Sequence, residues 1–461
     1  MKKGLVILPA IVFVFALALS ACSGGGSGTP PAESAAPSSS AGGNTGEGNG
    51  NEGNAGTETA SEYDIPDGTT ITIVNGGGSS VEQQMAMYGD LLVEKFPNVN
   101  FVFKGTTSEL KIDKMILGGE KFDIYLRSVG YFFQEVPDNG FEYDMTELMS
   151  KHQVDLSGID PVLMKSMTDN AGGKLWGVPV LNSTIVMYYN KDLFDNFGVD
   201  YPTDGMTWDQ VFEIAKSFNQ TKDGVNYVGL AVSDHHMTKL NNFGLSYVDS
   251  ATNLSTYDDE RWKAIAEIFR KPAEDPGYRD FMAKYENKIA DSKVFYEGRA
   301  AMFAALVHHT GNENFERADF NWDMVSIPTF KENPGIGGQA YPEYAAVASF
   351  SENKDAAVNV IKYMISEEFQ MKYAKKGIMP VLTSKDVQAA YGSESYKDKN
   401  NLAVFYNPFA PVMVKTKFDG DVERAFTGQK NDLALGKIDV NTMLRTAKEE
   451  ADKKIAEKNG N

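Results

Sequence analysis

Alternating and helical hydrophobic periods follow one another from residue 69 onward. Thr69 to Gly77, TTITIVNGG, alternates β-branched apolar and polar residues and then breaks into glycine, which predicts a strand and a turn. Val81, Met85, Tyr88, Leu92 and Phe96 then recur at helical spacing, with Ser79 or Ser80 as cap and Pro97 beyond the end. Asn98 to Gly105, NVNFVFKG, and Phe122 to Ser128, FDIYLRS, predict two further strands. This β-α-β rhythm implies a parallel sheet covered by helices, with ligands favoured at the carboxyl ends of the strands. The loops Asn75–Ser80 and Arg127–Gly130 are thereby placed to line a crevice.

Two earlier stretches have different patterns. Lys2 and Lys3 precede an apolar run, Leu5 to Leu19, that ends in Ser20 and Ala21. That layout predicts a secretory signal, and the run is short of the about 20 residues a membrane span needs. Residues 23–62 contain no Val, Ile, Leu, Phe, Tyr or Trp. Such a stretch cannot bury enough apolar surface to offset its ordering entropy, so a flexible tether with an r.m.s. reach of about 35 Å is expected. The single cysteine, Cys22, stands between these stretches. Leu19-Ser20-Ala21-Cys22 resembles the lipobox of bacterial lipoproteins, which implies that Cys22 is lipidated and becomes the mature first residue. The body beyond, roughly 63–461, is long enough for two domains.

Composition narrows the function. The chain of 461 residues has 44 Lys+Arg against 63 Asp+Glu, a net charge of −19. Removing residues 1–21 takes Lys2 and Lys3 and no acid, so the secreted part is more acidic still. With no basic stripe, a nucleic-acid backbone is excluded as partner. One cysteine excludes an intramolecular disulfide framework and a Cys-rich zinc site. The doublets His235-His236 and His308-His309 chelate poorly, since adjacent residues diverge on a strand or a helix. No metal and no cofactor are expected. Asn75-Gly76-Gly77-Gly78-Ser79-Ser80 lacks the lysine of a P-loop and the spacing of a dinucleotide fingerprint. Its glycines instead permit a tight turn and let backbone amides approach a ligand, making Asn75, Gly78 and Ser79 candidate contacts. Arg127, at a strand's carboxyl end, is a candidate for gripping hydroxyls or a carboxylate, with a salt bridge as the alternative.

The middle of the chain is more specific. Lys174-Leu175-Trp176-Gly177-Val178-Pro179, Tyr188-Tyr189-Asn190-Lys191-Asp192-Leu193-Phe194 and Thr207-Trp208-Asp209-Gln210 occur in that order. Together with FYEGRAAMF (295–303), SIPTF (326–330) and the C-terminal helical segments, they resemble the family 1 extracellular solute-binding proteins, the sugar-binding relatives of maltose-binding protein that serve ABC importers. The resemblance covers residues 65–458. It implies an α/β fold of the type II periplasmic-binding-protein kind, two α/β lobes joined by a multi-crossing hinge. The implied N-lobe is 63–178 with 335–378, and the C-lobe 179–334 with 379–461. Residues 1–21 form the signal peptide and 22–62 the lipidated cysteine and tether.

The resemblance also implies partners and further site residues. The partners are a small solute, most readily a mono- or oligosaccharide, ABC permease subunits, and a membrane through the lipid anchor, with the chain itself a monomer. Asn182 and Ser183, where the first crossing enters the C-lobe, match a position that hydrogen-bonds ligand in the family. His308 stands where the family often has a stacking aromatic. Trp176 beside the hinge, Tyr341 and Glu343 after the return crossing, and Tyr406 in VFYNPFAPVM complete the candidates. Thr207 with Gln210 reads as a capping box, which makes Trp208 a packing residue. The alternatives to an importer subunit are a surface-anchored glycan hydrolase and a receptor that presents ligand to a membrane sensor.

Overall fold

The computed structural model describes residues 62–307 and 318–460. Residues 1–61, where the signal, Cys22 and nearly all of the tether are expected, and the His308-His309 doublet lie outside the described residues.

Four strands near the start of the body and one that returns late build the first sheet. These are β1 (Thr70–Asn75), β2 (Asn100–Gly105), β3 (Ile124–Ser128), β4 (Val178–Leu181) and, returning, Glu343–Val347. β1 runs parallel to both β2 and β3. The returning strand inserts antiparallel between β3 and β4. The sheet is thus not purely parallel, because the strand after a hinge crossing re-enters from the opposite end.

The second sheet uses β5 (Ile185–Asn190), β6 (Gln220–Lys222), β7 (Val225–Val232) and two later strands. Between these in sequence, β8 (Val248–Asp249) and β9 (Leu254–Ser255) form a small hairpin. The later strands are β10 (Ala300–Leu306) and β11 (Trp322–Ser326), and β12 is the returning strand Glu343–Val347. β10 pairs parallel with β7 and antiparallel with β5, which also holds β11. Each sheet has its own apolar core. Val74, Tyr125, Phe132 and Tyr344 belong to the first, and Met187, Phe194, Trp262 and Phe303 to the second. Tyr341, Leu382 and Phe409 pack against both.

Local signals behave as their chemistry requires. Ser80 and Gln83 form a reciprocal capping box at the helix after β1, and Thr207 and Gln210 form another. Trp208 is buried against Phe212 and Phe330, as a packing residue. Asp439 caps the last helix, which buries Met443, Leu444, Ala447, Ala451 and Ile455. Gly377 ends the helix Glu367–Lys375 with φ +80°, the left-handed conformation a glycine adopts without penalty.

The chain passes between the sheets at residues 182–184, beyond the division expected after residue 178, since Val178–Leu181 pairs within the first sheet. At that crossing the Asn182 N–H donates to the Met379 carbonyl (2.9 Å), and the Tyr341 N–H donates to the Ser183 carbonyl (2.8 Å). The Thr184 hydroxyl donates to the Gln339 carbonyl (3.3 Å). Three crossings of the chain are therefore tied into one hydrogen-bonded bundle. Among the described residues, no helix is long and apolar enough to cross a membrane.

Candidate functional site

Parallel strands end together, and their following loops share one edge of the first sheet. Asn75 is level with Gly105 on one side and Leu126 on the other, and Glu343 is level with Ser128. Beyond these ends lies a cavity of about 740 Å³, lined by Gly76–Gly78, Thr106–Ser108, Lys111, Arg127, and Tyr131, Gln134 and Glu135 of the helix Val129–Asp138. The size suits a small-molecule ligand. Positions 131, 134 and 135 share one helix face by their i, i+3, i+4 spacing.

The glycine loop is held from beneath. The Gly77 N–H donates to Asn75 Oδ1 (2.8 Å), and the Thr106 hydroxyl donates to the Gly76 carbonyl (2.9 Å). A side chain at Gly76 would collide with the Tyr125 hydroxyl, 2.1 Å from an added Cβ, so only glycine lets this backbone lie against the sheet end. Gly78 lines the cavity, whereas Asn75 is 2% exposed and supports the loop from behind. Ser79 lies beside the cavity lining with its carbonyl close to Gly105.

Arg127 lines the cavity already paired. Its Nε and Nη2 donate to the two oxygens of Glu135 at 2.7 and 2.9 Å, a bidentate fork. The Tyr125 hydroxyl donates to the same carboxylate (2.5 Å), and the guanidinium carbon lies 4.2 Å from the Tyr131 ring centroid. Glu343 completes this network from behind, accepting from Asn75 Nδ2 (3.3 Å). Burial pushes its carboxyl up to about 7, against the opposing pull of Arg127 and the Asn75 hydrogen bond.

A second cavity of about 230 Å³ continues from the first, sharing Tyr131 and Gln134. Its opposite wall comes from the other sheet's side: Lys239, Met413, Lys415–Lys417, and the helix Asp419–Thr427. Lys239 closes the helix that follows β7, so this wall is also built at a strand's carboxyl end.

The other candidates fall elsewhere. Asn182 and Ser183 are 1% and 2% exposed, and both hold the hinge. Asn182 Oδ1 accepts from the Tyr341 N–H (3.2 Å), and the Ser183 hydroxyl donates to the Val307 carbonyl (3.3 Å). Tyr341 bridges the crossings, with Ser128 Oγ donating to its hydroxyl (3.4 Å). Trp176 packs on the first core outside both cavities. Tyr406 is 56% exposed and rests against Gly205, also outside them. His308 lies outside the described residues. Of the histidine doublets, His235 pairs with Glu423, and His236 Nδ1 accepts from the Leu306 N–H (3.2 Å). Among the described residues no group of three or more His, Cys, Asp and Glu is placed to hold a metal.

Tyr131, Gln134, Glu135, Lys239 and Lys415 were not among the residues expected from sequence. The helix face at 131, 134 and 135 carried a usable signal, since it starts directly after the strand that presents Arg127. Lys239 and Lys415 carried none, because only the tertiary fold brings them to the cavity.

Two sheets, separate cores, three bundled crossings and a cleft between them define a bilobed binding protein. Residues 79–371 match the family model described as bacterial extracellular solute-binding protein, and the chain belongs to that family. A relative, the sn-glycerol-3-phosphate-binding periplasmic protein UgpB of Salmonella paratyphi A, is 24% identical over 314 residues, covering 60% of this chain and 68% of that one. An ABC substrate-binding protein of Listeria monocytogenes in complex with cycloalternan superposes with TM-score 0.65 at 19% identity, over 86% of this chain and 100% of that one. A sugar transporter protein of Rhizobium etli, in an open conformation, gives 0.67 at 22% identity, over 83% and 99%. The fold is thus the type II binding-protein architecture.

Glu343 offers a test of the network. Its unfolded value near 4.5 rises to about 7 on folding, so the folded state holds the extra proton between those values. The group favours folding fully below the unfolded value, and stability is lost as pH rises towards about 7, by at most about 3 kcal/mol. Glu343→Gln should remove that slope. Denaturant titrations from pH 4 to 8 check it, and parallel slopes in both proteins would refute the assignment.

Proposed function

We propose that this protein is the lipid-anchored, solute-capturing component of an ABC importer, taking a saccharide between its lobes and passing it on unaltered to a membrane permease. The observation that carries the reading is a continuous cleft whose walls come from both sides of one hydrogen-bonded hinge. A ligand touching both walls binds the closed arrangement better than the open one, and that difference shifts the population towards closure. The permease recognises the closed surface.

The cleft suits a polyol. The glycine loop brings backbone close to the bound molecule, Thr106–Ser108 and Gln134 supply neutral donors and acceptors, and the half-exposed Tyr131 ring, backed by Arg127, offers an apolar face for pyranose C–H groups. One protein of the same fold carries cycloalternan and another is a sugar transporter protein, which supports the saccharide class. Arg127 and Glu135 neutralise one another, which favours binding over hydrolysis: neither is left as an isolated acid or base. Cys22, with its lipobox-like neighbours, would moor the chain to the outer face of the membrane, and the tether would give the monomeric body its reach.

Two measurements test this. In a thermal-shift screen of mono- and oligosaccharides, a true ligand at 100 times its Kd should add about 2.7 kcal/mol of stability and be recovered intact. A broad panel without a shift removes the saccharide reading, and cleaved product would support the hydrolase instead. Cys22→Ser should move the chain from the membrane fraction to the soluble one; unchanged membrane association would contradict the anchor.

A further inference from the structure

The carboxylates in the second cavity all have partners. Asp419 accepts from the Thr416 hydroxyl (2.6 Å) and N–H (3.2 Å). Glu423 pairs with His235 and, at 3.4 Å, with Lys239. Asp421 pairs with Arg424 and Lys458. Five cationic side chains line the cavity against these three carboxylates. Lys417 is exposed to solvent, which leaves Lys415. Lys415 is partly buried, its N–H donates to Asn170 Oδ1 (2.6 Å), and among the described residues no carboxylate oxygen lies within salt-bridge distance of its ammonium.

A desolvated ammonium without a direct ion-pair partner is costly unless something supplies one. Burial pushes Lys415 down to about 8; Asp419 and Glu423, from the helix Asp419–Thr427, pull it up, and Lys239, from the helix after β7, pushes it further down. The facing wall offers Gly130, Tyr131 and Gln134, none of them charged at neutral pH. A chain of net charge −19 has thus placed an unpaired cation where its two lobes meet over the cleft.

We propose that the ligand of this cleft is an acidic saccharide, and that Lys415 pairs with its anionic group. This rests on the saccharide-capture reading and adds the charge of the ligand to it. The shared chemistry is a singly or doubly negative oxygen cluster, a uronate carboxylate or a phosphate ester. Arg127 is excluded as the main anchor because Glu135 already occupies its fork.

Isothermal titration of the full mature chain tests the assignment with trigalacturonate and its neutral galactose trimer, and with glucose 6-phosphate and glucose. At least one acidic member should bind tenfold or more tighter than its neutral counterpart. Which of the two wins separates carboxylate from phosphate. Lys415→Gln should abolish the preference, and Lys415→Arg should retain it. The acidic ligand's affinity should also fall above about pH 8, as the Lys415 ammonium loses its proton, while that of the neutral sugar stays level. Neutral sugars binding as tightly as acidic ones, or a preference that survives in a folded Lys415→Gln protein, would overturn the acidic-ligand proposal and leave saccharide capture standing. Failure of the four probes together with a silent saccharide screen would overturn both.

Discussion

The structure depends on the hydrogen-bonded bundle where three chain crossings meet. Asn182, Ser183 and Thr184 reach Met379, Gln339 and Tyr341 through main-chain and side-chain bonds, and this is the junction at which both sheets share contacts. Buried polar groups at such a crossing must be paired, at a cost of about 1–3 kcal/mol for each one left open. That explains why small polar residues occupy 182–184. Asn182 Oδ1, the Ser183 hydroxyl and the Thr184 hydroxyl each hold a main-chain group at this junction. These bonds tie the crossings to one another at a single junction, the place about which two lobes of a clamp would turn.

The cleft follows from that hinge and from strand direction. Because β1, β2 and β3 run parallel, their loops gather at one edge, and the returning strand β12 brings Glu343 to the same edge from the other side. The side chains there form a shared network rather than a set of independent contacts. Asn75 holds both the glycine loop and Glu343, Glu135 holds both Arg127 and Tyr125, and Tyr131 lies against Arg127. Preorganisation of this kind lowers the ordering cost of binding, since the polar groups are already in place before the ligand arrives.

Much of this was legible in the sequence wherever the signal is local. Alternation marked β1, β2 and β3, capping residues marked Ser80, Thr207 and Asp439, and ordered motifs marked the family. Strand polarity placed Gly78 and Arg127 at the cavity. What escaped depends on contacts distant in sequence. The Asn75–Glu343 bond joins residues 268 apart, and Lys415 reaches the cleft only because the last segment folds back onto the second sheet. Asn182 and Ser183 were expected at the ligand; a polar pair at a crossing gives the same one-dimensional pattern whether it serves hinge or ligand. Trp176 and Tyr406 are aromatic residues near the expected boundaries, and their packing against the first core and Gly205 has no local signature.

The central claim is that ligand draws the two lobes together about the crossing bundle. Small-angle scattering from the mature chain carrying Cys22→Ser, with and without a ligand identified by its thermal shift, tests it most directly. The account predicts a smaller radius of gyration and a narrower pair-distance distribution at saturation. Saturating ligand with an unchanged scattering profile would contradict it.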